Sequence, residues 1–349
     1  MISRTIIATP PGATIKEQLE DRKMTQKEFA VRMDMSEKHI SQLINGEVHL
    51  TPNVAQRLEA VLGVPATFWN NLESRYREKM ARLEEENAMD ADIELMKQMP
   101  YAEMVRIGWM KPVKSVTDKV RELRHYFGVA RLGVLDNLVI PGIAFRRAGK
   151  TAKVDYILAV WAQQAKLAAA SIHVSNVNIQ KLSSLIPKLR VLTMNSPEDF
   201  CPKLSHWLAE CGIAIVFLPH IKGSFLHGAT FLDGKKIVMA LTLRGHYADK
   251  FWFSFFHELD HVLEGHINKP YGPTEEDEIH ADLFAGDTLL PPIMYSKFIA
   301  AKSYTFASVV SFSRQIGIDP GIVVGRLQRE NHIGYNQLNV LKKRYQLSS

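Results

Sequence analysis

Apolar residues recur with a helical period along most of the chain. Between residues 12 and 64 this pattern predicts four short helices, at 15–22, 26–33, 37–44 and 52–62. Thr25 and Ser36 are expected to cap the second and third helices, and Gly63 to end the fourth. The turn Met33-Asp34-Met35 separates two of these helices as in a helix-turn-helix, with Phe29, Ile40, Leu43 and Leu58 facing inward.

The next part of the chain is also predicted to be helical. One long helical stretch runs from 65 to about 99. Pro100 and Pro112 interrupt the pattern, and residues 113–211 are again mostly helical. The acidic run Glu84-Glu85-Glu86 is interpreted as a solvated helix face. We assign residues 1–79 to an N-terminal domain and 80–135 to a helical connector, and we interpret His125, His173 and His206 as structural.

A different pattern begins at Gly212. The apolar run 213–218 predicts a buried strand, and Asp233-Gly234 predicts the turn of a hairpin whose second strand is 236–241. We expect strand 236–241 to lie at the sheet edge, where it could bind an extended peptide through main-chain hydrogen bonds. Residues 212–291 are therefore expected to combine strands with helices.

The candidate chemistry follows these strands, in the motif H-E-x-x-H. Residues four apart share one face of a helix, so His257 and His261 could reach one Zn²⁺ with Glu258 beside its bound water. Six residues form an apolar stripe that avoids both histidines and predicts a buried back for this helix: Trp252, Phe255, Phe256, Leu259, Val262 and Leu263.

A catalytic zinc site needs a third protein ligand. The best-placed carboxylate is Glu278, on a second helical run that Pro291-Pro292 would stop, and Asp282 could orient a ligand histidine from one turn further on. Four other residues compete for the position of third ligand: His266, Glu275, Glu276 and His280.

The residues HELDH followed by E-I-H-A-D-L-F-A-G-D-T-L-L-P resemble the ImmA/IrrE family of zinc-dependent metallopeptidases. The resemblance implies an α+β zincin-like domain over residues 136–349, with the strands and zinc helices in 212–291 and a helical tail in 292–349. It makes His257, His261 and Glu278 the zinc ligands and Glu258 the general base. Asp260 departs from the family, which usually has glycine there.

The N-terminal stretch T-Q-K-E-F-A-x-x-M-D-M-S-E-K-H-I-S-Q-L-I-N-G resembles the XRE, or lambda-repressor-like, DNA-binding family, and its flanks resemble HigA-type antitoxins. The resemblance implies an all-α domain whose helix 36–44 enters the major groove of operator DNA. Four residues of this helix would read bases and two would position phosphates: Glu37, Lys38, Ser41 and Gln42 in the first role, Gln26 and Asn45 in the second.

Charge is distributed unevenly. The chain carries a formal net charge of +6, yet residues 1–80 hold 11 basic and 10 acidic side chains, whereas 291–349 hold 8 and 2. A small bundle that binds protein is therefore the alternative for the N-terminal domain. The tail, which has the outline of a second helix-turn-helix, is expected to pack on the peptidase. Its alternative role is nucleic-acid contact through Arg326, Arg329 and Lys342-Lys343-Arg344.

Together the two resemblances imply a multidomain DNA-binding regulator with a zinc-dependent endopeptidase that cleaves a repressor or partner protein, in a prophage, mobile element or toxin–antitoxin locus. We expect a homodimer without membrane contact. The two cysteines, Cys201 and Cys211, and the lack of a signal-peptide pattern indicate the cytoplasm. The alternative is a non-catalytic antitoxin-type repressor whose peptidase fold is a binding or sensing scaffold; Asp260 leaves it open.

Overall fold

The computed structural model describes residues 8–137, 152–222, 224, 227–242, 247–269 and 272–345. The chain divides into two compact units, Met1–Glu94 and Leu95–Ser349. This division falls inside the predicted connector, 80–135.

The first unit consists of helices. They are α1 Pro11–Asp21, α2 Gln26–Arg32, α3 Glu37–Ile44, α4 Pro52–Leu62 and α5 Ala66–Met96, the last of which runs two residues past the division. The first helix begins four residues earlier than predicted, because Pro11 occupies its first turn, where a missing N–H costs nothing. Thr25 and Ser36 cap α2 and α3 as predicted: their hydroxyls accept hydrogen bonds from Glu28 N and His39 N.

The turn between α2 and α3 is held in place by a residue from α4. Asp34 adopts a left-handed φ of 51°, and the Arg57 guanidinium donates to the carbonyls of Met33 and Asp34, at 2.8 Å each. The four residues predicted to face inward, Phe29, Ile40, Leu43 and Leu58, are all buried in the core of this unit. The turn therefore fixes α3 against a packed core and leaves its other face to solvent.

The second unit is mostly helical around a small sheet. Its helices are α6 Tyr101–Arg106, α7 Val116–Phe127, α8 Ala152–Ala169, α9 Ile179–Val191, α10 Pro197–Ala209, α11 Ala248–Leu263, α12 Glu275–Leu289, α13 Pro292–Ala300, α14 Phe306–Ile316 and α15 Pro320–Arg329. Short 3₁₀ turns occupy Leu132–Asn137, Leu192–Met194, His266–Asn268 and Asn339–Leu341. None of the described helices has both the length and the apolar composition that crossing a membrane would require.

Three described strands form the sheet: β1 Ile213–Leu218, β2 Gly228–Asp233 and β3 Lys236–Thr242. Their order is β1-β3-β2, with β3 parallel to β1 and antiparallel to β2. The prediction that 236–241 is an edge strand is wrong. Six of the seven residues of β3 are buried, as in a strand paired on both sides, and β2 lies at an edge instead.

The core of the second unit surrounds α11. The predicted apolar stripe is buried there, apart from the partly buried Leu263, and it packs with Leu289 of α12 and with Val323 and Leu327 of α15. The tail is thus part of the same hydrophobic core. Because its back is buried, α11 presents its histidines on the opposite face.

Candidate metal centre and nucleic-acid interface

Two imidazole rings one turn apart on α11 meet at their Nε2 atoms. His257 and His261 lie four residues apart, and their Nε2 atoms are 3.1 Å from each other. His261 is buried, and the side chain of His257 is 16% exposed. At this distance the two nitrogens share either one hydrogen or one cation.

Helix α12 adds a carboxylate to the two rings. Glu278 Oε2 lies 3.4 Å from His257 Nε2, and ligand atoms of His257, His261 and Glu278 all lie within 4.8 Å of one another. Tetrahedral zinc with bonds of about 2.0–2.2 Å places neighbouring ligand atoms about 3.3–3.6 Å apart. The separations of 3.1 Å and 3.4 Å at His257 Nε2 lie close to this range, and the N, N, O donor set has the chemistry that zinc prefers.

The other nitrogen of His257 is held by α12. Its Nδ1 lies 2.9 Å from Oδ1 of Asp282, whose Oδ2 accepts a 2.7 Å hydrogen bond from Arg329 of α15. An ionised carboxylate only accepts, so Nδ1 carries a hydrogen, and Nε2 is the nitrogen that binds a metal once the metal replaces its proton. Asp282 thus contacts one of the two candidate ligand histidines, and Arg329 in turn donates to Asp282.

Glu258 lies on the same helix face, against the sheet edge. Its carboxylate is buried, and Oε2 accepts a 2.7 Å hydrogen bond from the Thr230 hydroxyl of β2. A Cβ at Gly228 would lie 2.8 Å from Glu258 Cγ, so only glycine lets the strand approach this closely. Burial raises the pKa of Glu258 to about 7, a value suited to a general base at neutral pH.

The electrostatics of the two rings favour a single positive charge between them. Burial and the nearby charge of His257 lower the pKa of His261 to about 4. Burial also opposes charge on His257, but hydrogen bonds to Asp282 and Glu278 outweigh it and raise the pKa of His257 to about 10. A cation between the rings would replace that proton.

The competing ligands point elsewhere. His280 Nδ1 lies 2.8 Å from Oδ2 of Asp260, which is buried, and His266 faces the Nδ1 side of His261. Glu275 and Glu276 are exposed in the first turn of α12. Within the described residues, the group that could hold a metal is His257, His261 and Glu278, and Asp260 is not part of it.

A cavity of about 750 Å³ lies between α11, α12 and α15 beside this centre. Asp282 and Arg329 form part of its wall, as does His227, the residue before β2. Its apolar lining includes Phe253, Ile279, Leu283, Leu289, Leu290 and Ile322. Ile279 and Leu283 are 56% and 60% exposed, so the α12 side of the cavity is an accessible apolar surface.

The predicted DNA-binding residues lie on the solvent side of the first unit. Glu37 and Lys38 are exposed and Ser41 and Gln42 half-buried on α3, while Gln26 and Asn45 are exposed at helix ends. The basic tail residues are engaged differently. Arg326 contacts Asp287 and Glu330, Arg329 contacts Asp282, and Lys342 and Lys343 pair with Asp249 and Asp319. Arg344 donates to the Tyr247 hydroxyl. Because these basic side chains are paired within their own unit, the contacts disfavour the alternative in which the tail binds nucleic acid.

Two residues of the site were not found by sequence reasoning. Thr230 lies 28 residues before Glu258, and Arg329 lies 47 residues after Asp282. No motif spacing joins residues so far apart. The one available signal for Thr230 is its position as a polar residue in a strand beside the metal helix.

Comparisons with known proteins concern the helix-turn-helix. The helix-turn-helix family model matches residues 15–69. The uncharacterized HTH-type transcriptional regulator YddM of Escherichia coli (strain K12) is 33% identical over 66 residues, which are 19% of this chain and 70% of that protein. A solved structure of an addiction module antidote protein of the HigA family from Coxiella burnetii is 25% identical, with a TM-score of 0.23, over 25% of this chain and 95% of that one.

Proposed function

The chain belongs to the helix-turn-helix family through its N-terminal domain, and from this membership we propose a DNA-binding transcriptional regulator that also carries a zinc-dependent endopeptidase. The endopeptidase would cleave a repressor or partner protein encoded in a prophage, mobile element or toxin–antitoxin locus. Operator binding fits a homodimer on an inverted repeat, and it places the protein in the cytoplasm with the DNA.

The observation that carries the enzymatic part is the convergence of His257, His261 and Glu278 beside Glu258. When bound there, zinc would polarise the scissile carbonyl and lower the pKa of a water. Glu258, whose carboxylate is held by the Thr230 hydroxyl, would take a proton from that water and then return it to the leaving amine.

The surroundings of the site support an extended peptide as substrate. Strand β2 is an edge strand and contacts the general base, so its outer main-chain groups are placed to pair with a peptide that crosses the metal. The apolar cavity begins at His227, immediately before β2, and is able to accept apolar side chains of that peptide.

Co-expression with the protein encoded next to it tests the proposal. Wild-type protein is expected to cleave the neighbour, and Glu258→Gln is expected to keep zinc and fold while losing about 10²–10⁴-fold in turnover. Glu264→Gln makes the same chemical change at an exposed position near the end of the same helix and is expected to cleave normally.

Cleavage that survives Glu258→Gln would place the activity elsewhere. A neighbour left intact by wild-type protein, with zinc bound, would favour the second candidate, a non-catalytic antitoxin-type repressor. In the sequence, Asp260 was the residue that left this candidate open. In the structure Asp260 contacts His280 and is not one of the three residues of the metal group.

A further inference from the structure

A second histidine holds the ring of His261 from behind. Gly265, with a left-handed φ of 71°, follows α11 and turns the chain back on the helix. The 3₁₀ turn that follows starts with His266, whose Nδ1 lies 3.0 Å from Nδ1 of His261. Both residues are buried, so this contact is shielded from water.

The far side of the His266 ring faces an acid at the start of α12. His266 Nε2 lies 3.1 Å from Oδ1 of Asp277, and Asp277 Oδ2 accepts hydrogen bonds from Lys269 and from the Thr274 backbone. The Lys269 ammonium and the Thr274 N–H are both donors, so the Asp277 carboxylate is surrounded by donors. Asp277 is therefore an acceptor only, and Nε2 of His266 must carry the hydrogen of this contact.

The direction of the next hydrogen bond follows. The tautomer of His266 that carries its hydrogen on Nε2 has a lone pair on Nδ1, so Nδ1 of His261 donates to it. Nε2 of His261 then keeps its own lone pair, and that atom is the one that faces His257. Asp282 imposes the same arrangement on His257 directly.

We propose that His266 and Asp277 are positioning residues of the metal centre, in a chain where Asp277 fixes the tautomer of His266 and His266 fixes that of His261. The proposal rests on the proposed zinc site. It gives α12 two tasks in adjacent residues, since Glu278 supplies a ligand while Asp277 orients another. His266, one of the four alternatives for the third ligand, is thereby assigned the role of holding the ring of the ligand His261.

The zinc affinity of the full-length protein, measured by competition with a fluorescent chelator, tests the positioning role of His266 and Asp277. His266→Phe keeps a ring but removes the acceptor, and it is expected to weaken zinc binding about 10–100-fold. His266→Asn places a carbonyl oxygen near the position of Nδ1 and is expected to restore most of the affinity. His206→Phe, at an exposed histidine of α10, is the matched control and is expected to bind zinc normally.

The outcomes separate this proposal from the function on which it rests. Wild-type protein that binds no zinc would remove the metal site and the proposed enzyme together. Zinc binding by the wild type with equal affinity in His266→Phe would overturn the positioning role alone. Equal weakening in the Phe and Asn variants would also overturn it, because the acceptor would not be what matters.

Tautomers in the unaltered protein provide a check that does not depend on a variant folding. In zinc-loaded protein labelled with ¹⁵N-histidine, long-range ¹H–¹⁵N spectra are expected to show hydrogen on Nδ1 of His261 and on Nε2 of His266. Hydrogen on Nδ1 of His266 would contradict the proposal.

Discussion

At the scale of the residue, the proposed metal centre depends on which nitrogen each ring presents. The sequence predicts that His257 and His261 share a helix face, because the helical period alone determines it. Asp282, the Nδ1 partner of His257, is the candidate that the sequence offers for this role. The Nδ1 partner of His261 is His266, and it follows from how the turn after α11 packs, which no local pattern records. The conclusion that His266 is no ligand therefore required the folded geometry.

Recognition of DNA also rests on single residues. Lys38 and Gln42 lie on α3 within the matched family segment, in a stretch, residues 1–80, that holds 11 basic and 10 acidic side chains. Replacing either with alanine is expected to cost about 1–3 kcal/mol at the specific site, if it makes a bidentate base contact. Affinity for random DNA is expected to change little, because it depends on phosphate neutralisation.

Fluorescence anisotropy with operator and scrambled duplexes measures both affinities at one salt concentration. Lys16→Ala removes the same charge from the exposed face of α1 and serves as the control. Equal weakening on both duplexes would make Lys38 or Gln42 a phosphate contact and refute the base-reading role.

At the scale of the element, helices were easier to predict than the sheet. Caps such as Thr25 and Ser36 mark helix starts locally, and the α2, α3 and α4 predictions agree with the structure to within one residue. Strand order depends on pairing between distant segments, so the position of β3 was predicted wrongly. The continuous apolar run of β3 was the local sign of a central strand.

The close approach of β2 to α11 predicts that a larger residue at position 228 destabilises the fold. An alanine there would place its Cβ 2.8 Å from Glu258 Cγ and from Leu241 Cδ2, so strand or helix must move. We expect Gly228→Ala to lower the free energy of unfolding by about 1–3 kcal/mol, as overpacking does. Urea denaturation measures this change.

Gly133→Ala is the matched control, since its Cβ would meet nothing nearer than 3.9 Å. It is expected to leave the unfolding midpoint nearly unchanged. Equal midpoints for Gly228→Ala and wild type would show that β2 does not press on Glu258.

At the scale of the whole molecule, the chain joins two compact units for which we propose different functions. The unit Met1–Glu94 contains the matched helix-turn-helix segment, and Leu95–Ser349 contains the metal group. Arg329, Lys342 and Lys343 of the basic tail pair with acids inside their own unit, which reduces the positive charge available to nucleic acid. Net charge alone therefore does not locate a nucleic-acid surface in this chain.

The division into two units predicts that the first unit binds DNA without the second. A fragment of residues 1–94 is expected to keep sequence-specific DNA binding, because its core is complete without the second unit. Anisotropy on the operator duplex measures it beside a fragment of residues 95–349. Binding by the second fragment alone would transfer DNA recognition to the tail.

Zinc content of the full-length protein tests the central claim most directly. Elemental analysis is expected to give about one equivalent per chain, since three protein ligands and a water complete one tetrahedral site. The His257→Ala/His261→Ala double variant is expected to hold almost none, whereas the His125→Ala/His206→Ala variant should match wild type. Full zinc retained by the first variant, or none in wild type, would contradict the metal centre.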